Sequence, residues 1–296
     1  MSRALVLGGG GPVGIAWEAG LLAGLAESGV NPADADFIMG TSAGSVVGAL
    51  LALGRAPGDI AAPIIAEAER PRVIPVQVAE ERPGAPNMLT LFQKMAEAAD
   101  GERDPAEVRR EIGAFSLQAR TIDEEAFIGG FGKQLAASGE GAPWPGHAYA
   151  CTAVDCETGA FVVWNAAAGV PLSRAVASSC SVPGVFPAIT LNGRKYMDGG
   201  MRSATNADLA KGHAKTLVIA VRLGAGAFAE RMMKPLEREL AVLREGGGAV
   251  ELIVPDDASA EAFGGNLMNP RHRPAAARAG LDQGRRIAEG LRAFWD

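Results

Sequence analysis

The sequence predicts an α/β fold, and three observations carry that expectation. Short apolar runs of strand length alternate with alanine- and leucine-rich stretches of helical period along most of the chain. Two glycine-rich turns, GGGGPVG at 8–14 and GTSAG at 40–44, stand where a strand hands over to a helix. The 296 residues are 48% hydrophobic and 21% charged, ample for a large core. A single domain over 1–296 is expected, with a helical insertion at about 57–142.

In order, Ala4-Leu5-Val6-Leu7 reads as a buried strand, and a helix is expected from Ile15 to Ser28. Ile15, Ala19, Leu22 and Ala26 share one face of that helix, and Gly29 supplies a stop. Phe37-Ile38-Met39 is the second strand, and Val46 to Leu53 begins the second helix. Within the insertion, Pro63, Pro71, Pro75, Pro83, Pro86 and Pro105 punctuate charged pieces that resemble short helices. One of these puts Met88, Leu91, Phe92 and Met95 on one face, a stripe that suits packing on the core better than a lid or a lipid contact.

Strands return at His147 to Val154 and at Phe161 to Trp164, joined by a turn over Asp155 to Gly159. A short helix from Pro171 to about Ser179 precedes a hairpin in which Ile189-Thr190-Leu191 meets Lys195-Tyr196-Met197 across Asn192-Gly193. That hairpin ends in Asp198-Gly199-Gly200. A helix near Ala207 to Lys211, a strand from Thr216 to Val221, a helix from about Pro235 to Arg244, a strand from Glu251 to Val254 and a C-terminal helix complete the alternation.

Charge and composition exclude several classes. A net charge of -6 argues against nucleic acid as a partner, because phosphate binding needs a surplus of Lys and Arg. The arginines at 271, 273, 278, 285, 286 and 292 read as the solvated face of a helix. Cys151, Cys156 and Cys180 form neither a disulfide framework nor a CxxC pair, and are expected to be reduced structural thiols. Met1-Ser2-Arg3 runs directly into a strand with no signal-peptide pattern, and no run reaches the roughly 18 apolar residues of a membrane span. A soluble, cytoplasmic protein is expected.

The two glycine turns and the aspartate carry the chemistry. Gly9, Gly11 and Gly14 satisfy a dinucleotide-type GxGxxG, but Asp34 and Asp36, the nearest acids, precede the second strand instead of following it. The same loop can serve as an oxyanion hole, with donors from Gly9, Gly10 and Gly11, since Pro12 has no N–H. The loop by itself leaves both uses open. GTSAG places Ser42 between Gly40 and Gly44, the small flanking residues that a nucleophile on a sharp strand-to-helix turn requires, with the Ala43 amide as a further oxyanion donor. His147 precedes Asp198, His213 sits in a turn before a strand and His272 lies among arginines, so each reads as an ordinary surface or capping residue; a carboxylate is then the better base and Asp198 the candidate. An aspartate in a plain Asp-Gly turn is the competing account of Asp198.

In combination, these motifs resemble the patatin-like phospholipase family. Gly9 to Gly14 is similar to its glycine-rich motif, Gly40 to Gly44 to its GxSxG elbow, and Asp198-Gly199-Gly200 to its Asp-Gly-Gly/Ala motif; ASSCSVPGVFP, Ala177 to Pro187, is similar to a block between elbow and aspartate. The resemblance implies a three-layer α/β/α fold with a mostly parallel central sheet. It also implies a Ser42–Asp198 dyad acting on lipid esters through an acyl-enzyme, with no metal or organic cofactor. Any membrane contact would be peripheral. Val13 stands where many members carry Arg or Lys, which leaves the head group, and so the choice among phospholipids, lysolipids and acylglycerols, open. A nucleotide-binding enzyme and a catalytically silent lipid-binding member are the alternatives.

Overall fold

The computed structural model describes residues 1–69, 88–136, 143–221 and 227–296. β1 (Arg3–Leu7) leads into α1 (Gly11–Glu27), which begins at Gly11 and not at Ile15 because Pro12 is already set for a first helical turn. β2 (Phe37–Gly40) is followed at once by α2 (Ala43–Ala52), again earlier than the apolar pattern suggested, and then by α3 (Pro57–Ile65). The described part of the expected insertion continues with α4 (Met88–Ala99), α5 (Pro105–Gln118) and α6 (Glu124–Leu135). Asp104 and Asp123 cap α5 and α6 by accepting from first-turn amides. The pieces holding Pro71, Pro75, Pro83 and Pro86 lie outside the described residues, as do the side chains of Met88, Leu91 and Phe92.

β3 (Tyr149–Asp155), β4 (Phe161–Trp164), α7 (Leu172–Ser179), β5 (Ile189–Leu191) and β6 (Arg194–Asp198) come next. β7 (Lys215–Ile219), α8 (Ala227–Glu245), β8 (Ala249–Ile253), α9 (Asp257–Ala262) and α10 (Arg273–Trp295) follow them. Pro235 lies inside α8 instead of opening it. Leu236, Leu240 and Leu243 bury that helix on the sheet, and their burial outweighs the hydrogen bond that proline forfeits.

The strands form one sheet in the order β5-β6-β3-β2-β1-β7-β8, with β4 also paired to β3. The run from β3 through β2, β1 and β7 to β8 is parallel, and the pairs made by β4, β5 and β6 are antiparallel. Alternating side chains feed two cores, as expected of a sheet covered on both faces. Leu5, Leu7, Ile38, Leu217 and Ile219 pack with α1, α2, α7 and α10; Ala4, Val6, Met39 and Val218 pack with α8. α5 extends the second layer, setting Val108 and Ile112 on Val154 and Met197. The architecture is therefore the three-layer α/β/α sandwich that the alternation and the resemblance anticipated. Among the described residues no helix is long and apolar enough to cross a membrane.

One expected feature fails. α1 is not one-faced: nearly every residue from Val13 to Leu25 is buried, while Ile15 and Ala26, expected on the core face, are only half-buried. α10 covers the side that a two-layer arrangement would leave to solvent, and the two helices meet backbone to backbone. A Cβ on Gly20 would lie 2.0 Å from the Ala277 carbonyl oxygen, and one on Gly24 2.1 Å from that of Leu281. Gly24→Val is accordingly expected to lower the unfolding free energy by about 3 kcal/mol in urea titrations. Gly129→Ala on α6, where a Cβ meets nothing within 4 Å, should change it by less than about 1 kcal/mol, toward greater stability. Equal midpoints for the two variants would contradict the close helix pair.

Candidate active site

β2 ends at Gly40, and the chain must turn from strand to helix within two residues. Ser42 takes the bend with φ 51° and ψ -115°, a left-handed conformation costing a non-glycine residue on the order of 1–3 kcal/mol. The flanking glycines are required by contact. A Cβ on Gly44 would fall 2.1 Å from the Leu7 carbonyl oxygen, and one on Gly40 2.5 Å from the Gly44 carbonyl. Hydrogen bonds hold the turn from both sides. The Ser42 amide donates to Ser179 Oγ at 3.0 Å, and the Ser42 carbonyl accepts from Ser45 N at 2.9 Å, Ser45 Oγ at 2.6 Å and Cys180 Sγ at 3.2 Å.

Asp198 reaches the same place by a different route. β2 pairs only with Tyr149–Cys151 of β3, and the remainder of β3 runs on past it to pair with β6, which sets Asp198 opposite Ala153. The Asp198 amide donates to the Ser181 carbonyl at 3.0 Å. Its Oδ1 accepts from Gly200 N at 2.7 Å, while Oδ2 is buried without a partner. A Cβ on Gly199 would strike Thr152 Oγ1 at 2.1 Å, so glycine is needed there as well. The side chains of Ser42 and Asp198 are brought together in a nearly closed space, 7% and 2% exposed. Burial pushes the Asp198 carboxyl up to about 7, against the opposing pull of the Gly200 amide and the Ser42 hydroxyl. That hydroxyl is near enough to act on the carboxyl yet closes no hydrogen bond onto Oδ2. Such bonds tighten when substrate arrives.

The first glycine loop contributes fewer donors than expected. The Gly9 amide, expected as an oxyanion donor, donates to the Ala204 carbonyl at 2.7 Å, as Gly8 does to Ile219 at 2.9 Å, so it is committed to holding the loop. The amides of Gly10, Gly11 and Ala43 have no partner among the described residues. Gly14 sets α1 close to α2: a Cβ there would lie 3.4 Å from the Ala43 Cβ. Val13, whose amide a bound pyrophosphate would want, donates instead to the Leu267 carbonyl at 3.1 Å. No described hydrogen bond or ring contact links a histidine to Ser42 or Asp198: His213 stacks on Phe37, His272 sits against Gly264 and next to Arg273, which donates to the Pro12 carbonyl, and His147 precedes β3 at the opposite end of the parallel strands.

Sequence reasoning missed the buried network beneath the site. Asn206, left-handed at φ 50°, donates from Nδ2 to Thr41 Oγ1 at 3.1 Å and to the Ser203 carbonyl at 2.8 Å, and Thr41 Oγ1 lies 3.1 Å from Thr152 Oγ1. Glu239 of α8 accepts from Thr205 Oγ1 at 2.6 Å and from the Ala207 amide at 2.9 Å. A polar residue at the end of a strand beside a motif glycine, as Thr41 is, was the only local signal of this network.

The match to known sequences covers the same elements. The family model for patatin-like phospholipase matches residues 5–211, from β1 through the loop that follows Asp198. The chain belongs to the patatin-like phospholipase family. Among curated proteins none matches it. Solved structures that it resembles include VipD from Legionella pneumophila, at 14% identity and a TM-score of 0.48, covering 98% of this chain and 67% of that one. The type III effector ExoU is similar at 17% identity and a TM-score of 0.41, covering 98% and 53%. Full-length ExoU of Pseudomonas aeruginosa in complex with full-length SpcU is similar at 18% and 0.41, covering 100% and 53%. This patatin-like chain thus spans about two thirds of VipD and about half of ExoU.

The buried carboxyl makes a stability prediction. An aspartate ordinarily titrates near 3.8, so between that pH and about 7 the folded protein keeps a proton that the unfolded chain has lost, and stability falls as pH rises through the window. Asp198→Asn removes this penalty. Its melting temperature is expected to exceed that of the unaltered protein by a margin that grows from pH 4 to about 7 and is constant above; a margin independent of pH would contradict the raised carboxyl.

Proposed function

We propose that this patatin-like protein is a serine acyl hydrolase of lipid esters, with Ser42 as nucleophile and Asp198 as base. One observation carries the reading: a serine strained on a strand-to-helix turn stands beside a buried aspartate whose Oδ2 is unpaired and whose carboxyl sits near 7. An aspartate at its ordinary pKa would be a poor acceptor for a serine proton; raised to about 7, it is better matched to the task and still ionised in large part at neutral pH.

The reaction follows from the positions of the groups. Ser42 Oγ attacks the ester carbonyl as its proton passes to Asp198 Oδ2, and the amides of Gly10, Gly11 and Ala43 receive the charge that develops on the carbonyl oxygen. Collapse expels the alcohol, which takes the proton from Asp198 and leaves an acyl group on Ser42. Water then attacks the acyl-enzyme with Asp198 again accepting the proton, the bond from the acyl carbon to Ser42 Oγ breaks as Asp198 returns that proton to Oγ, and the fatty acid leaves. The α1 N-terminus adds its positive end to the oxyanion side. No step calls for a metal or organic cofactor. The substrate is a lipid ester; contact with a membrane is peripheral. The other use of the first loop, nucleotide binding, lacks an acid after β2 and finds the Val13 amide already engaged.

Labelling with a fluorophosphonate, followed by mapping of the modified peptide, tests the dyad. Modification is expected at Ser42, absent in Ser42→Ala, and slowed on the order of 100-fold or more in Asp198→Asn. Labelling that survives at full rate in Asp198→Asn would remove the base, and a folded protein that takes no label would remove the hydrolase.

A further inference from the structure

One buried acid has no part in this chemistry. Glu18, on α1 one turn beyond Gly14, is 0% exposed, and neither carboxyl oxygen has a hydrogen-bond partner among the described residues. No described ion pair includes it. Most buried carboxyls are paired, because an unpaired one forfeits the hydrogen bonds of water and receives nothing in return. Glu18 therefore sits at a cost that packing alone does not explain.

Its surroundings are those of the candidate site. The Gly8 backbone, in the loop that presents Gly10 and Gly11, is close enough to act on the carboxyl. So is the thiol of Cys180, at the end of α7, which feels the carboxyls of both Glu18 and Asp198. That thiol donates to the Ser42 carbonyl at 3.2 Å and lies 3.5 Å from Ser45 Oγ on α2. Charges on the other elements packed on α1 are engaged elsewhere: Arg273 of α10 donates to the Pro12 carbonyl and pairs with Glu67, Arg285 pairs with Glu27 at the surface, and Asp59 of α3 is exposed. Two acids thus act on one thiol behind the elbow, and no ion pair among the described residues includes either of them.

We propose that Glu18 is a positioning residue for the oxyanion loop: its neutral carboxyl keeps the space behind that loop free of negative charge, and its ionisation shuts the reaction down. The proposal rests on the hydrolase reading given above. The transition state already places one negative charge on the substrate oxygen, at amides of the loop that adjoins Glu18. A second, buried behind the same loop, opposes the first through a low-dielectric medium and cancels part of the positive end of α1. Burial holds the Glu18 carboxyl well above the ordinary carboxylate range, which favours its neutral form. The two acids divide the work by environment: Asp198 has the Gly200 amide and the Ser42 hydroxyl to support its charge, and Glu18 has the Gly8 backbone alone.

The test is the pH profile of kcat/KM on a soluble short-chain ester, for the unaltered protein, Glu18→Gln and Glu18→Leu. The unaltered protein is expected to rise through about pH 7 with Asp198 and to fall on an alkaline limb. Both variants, lacking the ionisable group, are expected to lose that limb. A limb retained in both belongs to another group, such as the Cys180 thiol, and overturns the proposal while leaving the dyad intact. An unaltered protein that hydrolyses no ester and takes no fluorophosphonate at any pH sinks the hydrolase reading and this inference with it. Melting temperatures supply a readout independent of activity. Glu18→Gln should gain on the unaltered protein as pH rises above the ordinary glutamate range, since only the folded state holds that proton; a difference constant with pH overturns the proposal. Should neither variant fold, the infrared band of a protonated carboxylic acid must be present in Asp198→Asn above the ordinary glutamate range, and its absence is equally fatal.

Discussion

A left-handed serine at the end of β2 is the constraint that the surrounding structure answers. The conformation is unfavourable by itself, and it persists because three separate elements close on it. α2 supplies Ser45, α7 supplies Ser179 and Cys180, and β1 leaves room for Gly44 only because no side chain intervenes. Each hydrogen bond is worth about 1 kcal/mol net, so several are needed to offset the strain. The same segment that secures Ser42 also fixes its neighbour, since Ser181 accepts the Asp198 amide one residue after Cys180. Residues 179–181 are thereby a bridge between two strands that never pair, β2 and β6. Geometry at the site is set by this bridge more than by the strands.

Electrostatics around the bridge depends on the scarcity of charge. The layer between α1, α2 and α7 holds hydroxyls, a thiol and two acids, all nearly or wholly excluded from water. Ionised partners are confined to the rim, where Arg202 pairs with Asp208 and Arg194 with Asp155. In such an interior a carboxyl responds to each amide and hydroxyl beside it, so acids of similar intrinsic strength separate widely. At Asp198 the Gly200 amide and the Ser42 hydroxyl are the influences that oppose burial.

Much of this could be read in the chain, and the rest could not for identifiable reasons. Turn chemistry is local, so GTSAG, Asn192-Gly193 and Asp198-Gly199-Gly200 pointed to the right bends, and the structure brings Ser42 and Asp198 together from them. Alternation likewise announced the sheet. The burial of α1 on all sides was hidden, because the helix that covers it, α10, is supplied by the far end of the chain, and periodicity records one face at a time. The loss of Gly9 as a donor was hidden for the same reason: its partner, Ala204, lies in a loop whose path no local pattern specifies. Glu18 was passed over as one acid in an apolar helix, since a sequence shows a residue's type but not its exposure. The segment from Ala177 to Pro187 was noticed through the family resemblance, while its mechanical role, holding both Ser42 and Asp198, emerges only from hydrogen bonds of long sequence separation.

The overhang of β3 beyond β2 has a consequence for the order in which the molecule assembles. Everything needed to shape the serine turn except its restraints is encoded before residue 53, in two consecutive strand–helix units that can dock early on local contacts. The remaining restraints, Ser179 and Cys180 at the end of α7, and the carboxylate at the end of β6 come from residues 179 to 198, and β6 pairs with the protruding half of β3. During synthesis, then, the emerging polypeptide carries Ser42 without Ser179, Cys180 and Asp198 until those residues have been made. A chain that stops short of Asp198 has the serine without its acid.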